Sequence, residues 1–298
     1  MSAADQEASW GGGGRIAFVA GLNLAIAVAE VIGGLAAGSL SLVSDALHSL
    51  TDGVALIVAW VALRLKQRPR TDRHTFGLKR AEVLAAVANA GLLLIVSLYL
   101  FQEAWHRLQH PEPIAGPMMA AVASVGLVAN GLGVWLLHRG SSENMNFRAA
   151  YLHLLSDTIS SVAVLVGGLA IAMFKVYWID PLLTVLIGLY VLKQSIAILW
   201  RSLGVFMLAA PPTVPLDQIR TALLGAPGVI AVHHLHLWEV AEHDVHLEGH
   251  VVLQDQLLSE ADAIRNTLRQ LMLDRFQIAH VTLEIEHNAA DCASGNEP

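Results

Sequence analysis

Six stretches of the chain each run for more than twenty residues with few charges, and that pattern leaves few folds open. They are Ile16–Ala37, Leu40–Leu65, Ala81–Trp105, Ile114–Leu137, Ala149–Phe174 and Trp178–Val205. An apolar run of about 20 residues matches the hydrocarbon thickness of a bilayer when helical. Only a helix or a closed barrel satisfies every backbone polar group in lipid. Gly38-Ser39 predicts a tight turn between the first two helices, and Asp180-Pro181 suits the first turn of the sixth.

Composition points the same way. Of 298 residues, 55% are hydrophobic and only 14% charged, with a mean hydropathy of +0.55. A soluble domain carries about 25% charged residues. The apolar surplus lies almost wholly within residues 15–205, while residues 210–287 read as an ordinary soluble domain. The expected organisation is therefore a flexible N-terminus (1–14), a six-helix transmembrane domain (15–208), a cytoplasmic domain (209–287) and a flexible tail (288–298).

Basic residues set the orientation, because cytoplasmic loops carry the Lys/Arg excess. Arg64, Lys66, Arg68, Arg70, Arg73, Lys79 and Arg80 cluster around the second loop, with Arg15, Arg139, Arg148 and Arg201 on the same side. Arg107 and Lys175 stand opposite. Both termini and the soluble domain are expected in the cytoplasm. A net charge of −7 and the lack of a Lys/Arg run argue against a nucleic-acid partner. One cysteine, Cys292, excludes an internal disulfide and a cysteine zinc finger. The N-terminus lacks the features of a secretory signal.

After Pro211-Pro212 the hydrophobic period changes. Leu216, Ile219 and Leu223 predict a short helix ending near Gly225. Val229–Val240, Val245–Leu253 and Ala279–His287 alternate as strands, and Ile264, Leu268, Leu271 and Met272 mark a second helix. The αββαβ order suggests a small open-faced sandwich with an exposed His/Glu sheet face.

The chemistry lies in a short echo. The second apolar stretch holds His48 and Asp52, and the fifth holds His153 and Asp157, both as His-x-x-x-Asp. Residues four apart share a helix face, roughly 6 Å apart along the axis. An ionised Asp at mid-membrane costs at least about 2.5–3.5 kcal/mol, so two such pairs are expensive as mere packing. Facing each other, they offer a His₂Asp₂ tetrahedron suited to zinc. Histidine ligands favour borderline metals over Mg²⁺, Ca²⁺ and Mn²⁺.

These residues carry a resemblance. Residues 38–52 (GSLSLVSDALHSLTD), 74–86 (HTFGLKRAEVLAA), 153–158 (HLLSDT) and 232–238 (VHHLHLW) resemble the cation diffusion facilitators, specifically their bacterial zinc/cobalt/cadmium-type members. The resemblance implies six transmembrane helices, a ferredoxin-like α+β cytoplasmic domain and homodimers in the inner membrane. It also implies export of Zn²⁺, or Co²⁺ or Cd²⁺, in exchange for protons. Its transport ligands map onto His48, Asp52, His153 and Asp157. It places a cytoplasmic metal site near His233, His250, Glu284 and Glu286, although relatives often carry histidine where Glu284 stands. Asp72 and His74 match two positions of a loop metal site whose third position is Leu78 here; a solvated loop is the competing reading.

Asp45 either supports His48 as a neighbouring carboxylate or proton relay, or caps its helix. Asn23, Glu30, Asn89 and Asn130 are candidates for hydrogen bonds between helices, with a cation path as the competing role. Two other function classes remain beside transport. A zinc hydrolase would need a general base and an open coordination position, and no His-Glu-x-x-His occurs. A membrane zinc sensor would show no flux.

Overall fold

A computed structural model of the chain describes residues 21, 24–66, 68–138, 145–241 and 244–287, with a few side chains among them, including Asp52, left outside the description. The N-terminus, Asn23, the Arg139–Ser142 break, His243 and Cys292 lie outside the described residues. The chain divides into two compact units, residues 1–60 with 88–198, and residues 61–87 with 199–298.

The first unit is built from helices. They are α1 (Leu24–Ala37), α2 (Leu40–Lys66), α3 (Ala81–Gln109), α4 (Gly116–His138), α5 (Met145–Phe174) and α6 (Ile179–Phe206), some continuing into the second unit. Among the described residues four helices are long and apolar enough to cross a membrane: Ala81–Gln109, Gly116–Leu136, Tyr151–Phe174 and Ile179–Phe206. The first expected span falls partly on residues outside the description, and several side chains of the second do so too. Val128, Trp135, Ile159 and Met173 point outward, whereas Ser44, Asp45, Asn130 and Asp157 are buried. That inversion is what a lipid solvent selects.

Glycines set how closely these helices approach. A Cβ at Gly116 would lie 2.5 Å from the backbone nitrogen of Ala172, and one at Gly168 2.9 Å from that of Ala120. The α4–α5 pair therefore packs backbone to backbone, as small residues permit in membranes.

The turn between α1 and α2 is the one expected from Gly38-Ser39. Gly38 has φ +70°, and Ser39 N–H donates to the Gly34 carbonyl in a Schellman closure. Ser39 Oγ then accepts from Leu42 N–H as the N-cap of α2. A second cap comes from the start of α6. The Asp180 carboxylate accepts from Ser39 Oγ (2.6 Å), Leu40 N (2.8 Å), Ser41 N (3.2 Å) and Ser41 Oγ (2.6 Å), and is fully buried. The first turn of a helix has orphan N–H groups and a positive dipole end, so a buried carboxylate is well placed there.

The second unit carries the expected αββαβ order: α7 (Leu216–Leu224), β1 (Val229–Ala241), β2 (Asp244–Leu253), α8 (Leu258–Phe276) and β3 (His280–Glu286). β1 and β2 pair antiparallel, β2 and β3 parallel, in the order β1-β2-β3. Ile219, Leu223, Leu268 and Met272 pack with Leu237, Leu247, Val251 and Val281 in one core on one sheet face. The opposite face carries His246, Glu248 and His250 on β2, and His280, Thr282 and Glu284 on β3.

β1 is irregular at a telling place. His233 pairs with His250 and His236 with Glu248, so His234 and Leu235 together oppose Gly249. This is a bulge, with His234 at φ 55°. Leu235 turns into the core over Gly249, where an added Cβ would collide with its side chain. Strict alternation from His236 would have turned His233 toward the core; the bulge returns it to the open face.

Candidate metal centres

α2 and α5 bring the two halves of the echo together. The His48 and His153 rings lie edge to face with centroids 6.2 Å apart. With metal–nitrogen bonds of about 2.1 Å, two imidazoles on one tetrahedral ion sit roughly 5 Å apart. The observed spacing is within reach of that by a small side-chain adjustment. His153 Nε2 is 3.5 Å from Asp157 Oδ2; His153 is partly exposed, while His48 and Asp157 are buried. Asp52 continues α2 one turn beyond His48, with its side chain outside the description.

Asp45 does not cap α2, since Ser39 and Asp180 fill that role. Its Oδ1 instead accepts from Ser160 Oγ on α5 at 2.5 Å, so it ties together the two helices that carry the histidines. Asn130 Nδ2 donates to Ser161 Oγ at 3.5 Å, a link from α4 to α5. Glu30, on α1, is 3% exposed and lies against Gly126, where an added Cβ would collide with its carboxylate. Its Oε1 has no hydrogen-bonding partner among the described residues.

On the open sheet face, His233, His250 and Glu286 place ligand atoms within 4.8 Å of one another, the one such triad among the described residues. The His233 and His250 rings are 5.3 Å apart, close to the spacing a shared ion requires. His250 Nδ1 is 2.6 Å from Glu286 Oε1, and His233 Nε2 is 3.2 Å from Glu286 Oε2. Among the described residues Glu286 Oε2 and His233 Nε2 are buried without a hydrogen bond, which a shared ion would compensate. Two imidazoles and a carboxylate are a fitting donor set for zinc or cobalt. Glu284 stands further out, 69% exposed, with Oε2 3.5 Å from His250 Nε2. His234, at the bulge, comes within 5.1 Å of the His250 ring and was not singled out by alternation.

Asp72 and His74 lie exposed in a turn closed by Thr71, whose Oγ1 accepts from His74 N–H at 3.1 Å and meets His74 Nδ1 at 3.4 Å. No third ligand joins them among the described residues.

Residues 16–207 match the family model described as the cation efflux transmembrane domain, and residues 211–288 match that of the cation efflux protein cytoplasmic domain. The metal cation efflux system protein CzcD of Cupriavidus metallidurans is 39% identical over 259 residues, 87% of this chain and 82% of that one. The zinc transporter ZitB of Escherichia coli is 36% identical over 285 residues, 93% and 90% of the two chains. A cadmium, cobalt and zinc/H(+)-K(+) antiporter of Bacillus subtilis is 35% identical over 267 residues, 88% and 85%. Among solved structures, the metal-bound C-terminal domain of the CzcD transporter is 33% identical, covering 24% of this chain and 99% of that one, with a TM-score of 0.23.

Proposed function

The chain belongs to the cation efflux family, the cation diffusion facilitators, and from that premise we propose that it exports zinc from the cytoplasm in exchange for protons, through His48, Asp52, His153 and Asp157. Membership makes it a metal-cation efflux transporter rather than an enzyme, which closes the hydrolase reading. The observation that carries the proposal is the approach of His48 to His153 across α2 and α5, with Asp157 buried beside them. Two nitrogen and two oxygen donors favour zinc-like ions. Each ligand must be deprotonated to hold metal, so loading releases protons and protonation releases metal, which is a chemical basis for antiport. Relatives whose names include zinc transport and H(+) antiport are consistent with this reading.

In this reading six helices span the inner membrane with both termini cytoplasmic, and two copies associate through their cytoplasmic domains. Cytoplasmic zinc at His233, His250 and Glu286, with Glu284 at the rim, steadies that association and tunes flux. A ligand shifts such an equilibrium only by its differential affinity for the two states. Asp72 and His74 take no part. The test is zinc uptake into everted vesicles under an imposed pH gradient: uptake should collapse when the gradient is dissipated. A chain that binds zinc yet moves none across the bilayer would be a sensor, and the proposal would fall.

A further inference from the structure

A second set of metal-binding side chains occupies the same open sheet face, about 13 Å along β2 from His250 at roughly 3.3 Å per residue. In the β2–β3 register His246 stands beside His280, and in the β1–β2 register it stands beside Trp238. The His246 and His280 rings are 4.0 Å apart, and Asp244 Oδ1 is 3.5 Å from His246 Nε2. His246 is 2% exposed, and among the described residues neither of its ring nitrogens has a hydrogen-bonding partner. Leaving two such atoms unmatched in a buried imidazole is costly, and a metal ion is one partner that would satisfy one of them.

The segment between α2 and α3 reaches the same spot within this unit. Phe76 lies 5.6 Å from the His246 ring, and Lys79 Nζ is 2.5 Å from Asp244 Oδ2. Lys79 thus holds the carboxylate that lies beside His246.

We propose that His246, His280 and Asp244 form a second divalent-cation site on the cytoplasmic sheet, and that the cation competes with Lys79 for Asp244. Histidines side by side on neighbouring strands, about 4.8 Å apart, can chelate one ion once their rings open to roughly 5 Å. His280 is exposed and has room to make that turn. Two imidazoles and one carboxylate select zinc, cobalt or nickel over magnesium or calcium. Loading the site releases Lys79, and with it the grip of the sheet on the segment that joins α2 to α3. Cytoplasmic metal is thereby read a second time, at a point linked by chain to the α2 helix. The site does not depend on the transport proposal, because it would exist in a chain that carried nothing.

The test uses the purified full-length chain in detergent. Asp157→Ala with His250→Ala disables the other two centres, and zinc retained after equilibrium dialysis at micromolar free zinc is counted by mass spectrometry. This double variant should retain one zinc per chain, and adding His280→Ala, an exposed substitution, should cut retention about tenfold. In the double background Lys79→Ala should tighten zinc about 2- to 5-fold, the effect of removing an ion-pair competitor. Cobalt absorption gives a separate reading: a tetrahedral cobalt band should appear in the double variant and vanish with His280→Ala. A double variant that retains no zinc overturns the proposal, as does equal retention with and without His280.

Discussion

The two candidate metal centres that the family resemblance points to use the same donor types on opposite kinds of scaffold. On α2 and α5 each ligand pair is a local fact: four residues separate His153 from Asp157, and the helix alone puts them on one face. On the sheet no two ligands of His233, His250 and Glu286 are near in sequence. They meet through strand pairing and through one bulge. The sheet triad nevertheless has the tighter arrangement, with rings 5.3 Å apart against 6.2 Å between the helices. A binding site that must hold metal is assembled close to its bound geometry. One that must release metal each cycle has reason to stand slightly open. Under the proposed function, this difference is the one expected between a carrier on the helices and a receptor on the sheet.

Breaking the helix centre should have the largest effect. Asp157→Ala in reconstituted vesicles should reduce zinc flux at least about 100-fold, because one remaining carboxylate neither balances the ion nor carries its protons. Flux within twofold of wild type would remove Asp157 from the path. Next in size is selectivity: His48→Asp leaves one nitrogen and three oxygens, so cadmium or manganese should gain on zinc by about tenfold in competition uptake. An unchanged metal ranking would show that His48 does not set it.

The sheet centre should answer differently. His250→Ala with Glu284→Gln should raise the zinc needed for half-maximal flux several-fold while leaving the maximal rate near wild type. A fall in maximal rate with no change in half-saturation would erase the distinction between carrier and receptor. The smallest effect on transport is expected from Gly249→Ala, which presses a methyl against Leu235 under the bulge. Overpacking of this kind costs about 1–3 kcal/mol. The cytoplasmic transition in a thermal melt of the full chain should move down by a few degrees, and zinc should bind the sheet less tightly with saturated flux unchanged. If sheet affinity stays the same, the bulge is not what aligns His233.

What could be read from the sequence follows the same division. The αββαβ order, its strand bounds and the His-x-x-x-Asp pairs all rest on local periodicity, and the structure places each strand end within one residue of expectation. His233 is another matter. Alternation alone would have turned it inward, and only the family resemblance named it beside His250. The reason is that the bulge bends at His234, a residue that gives no turn signal of the kind glycine gives. Glu284 shares the expected face at the rim, with Oε2 3.5 Å from His250 Nε2, beside the closer group of His233, His250 and Glu286. The cap on α2 by Asp180 joins residues 141 positions apart, and no window of sequence displays it. Asp180 read instead as a helix-starting residue of α6, a role it also occupies.

That cap has a mechanical meaning. Four hydrogen bonds to one buried carboxylate pin the start of α2 to the start of α6. The helix end is thus a fulcrum, and His48, eight residues on, is carried at the end of an arm about 12 Å long. Rocking the arm by about 10° sweeps the imidazole some 2 Å, roughly the length of a metal–nitrogen bond. With His48 a ligand as proposed, a swing too slight to disturb the anchored end takes it out of the coordination shell, and α2 becomes a lever whose pivot never has to let go.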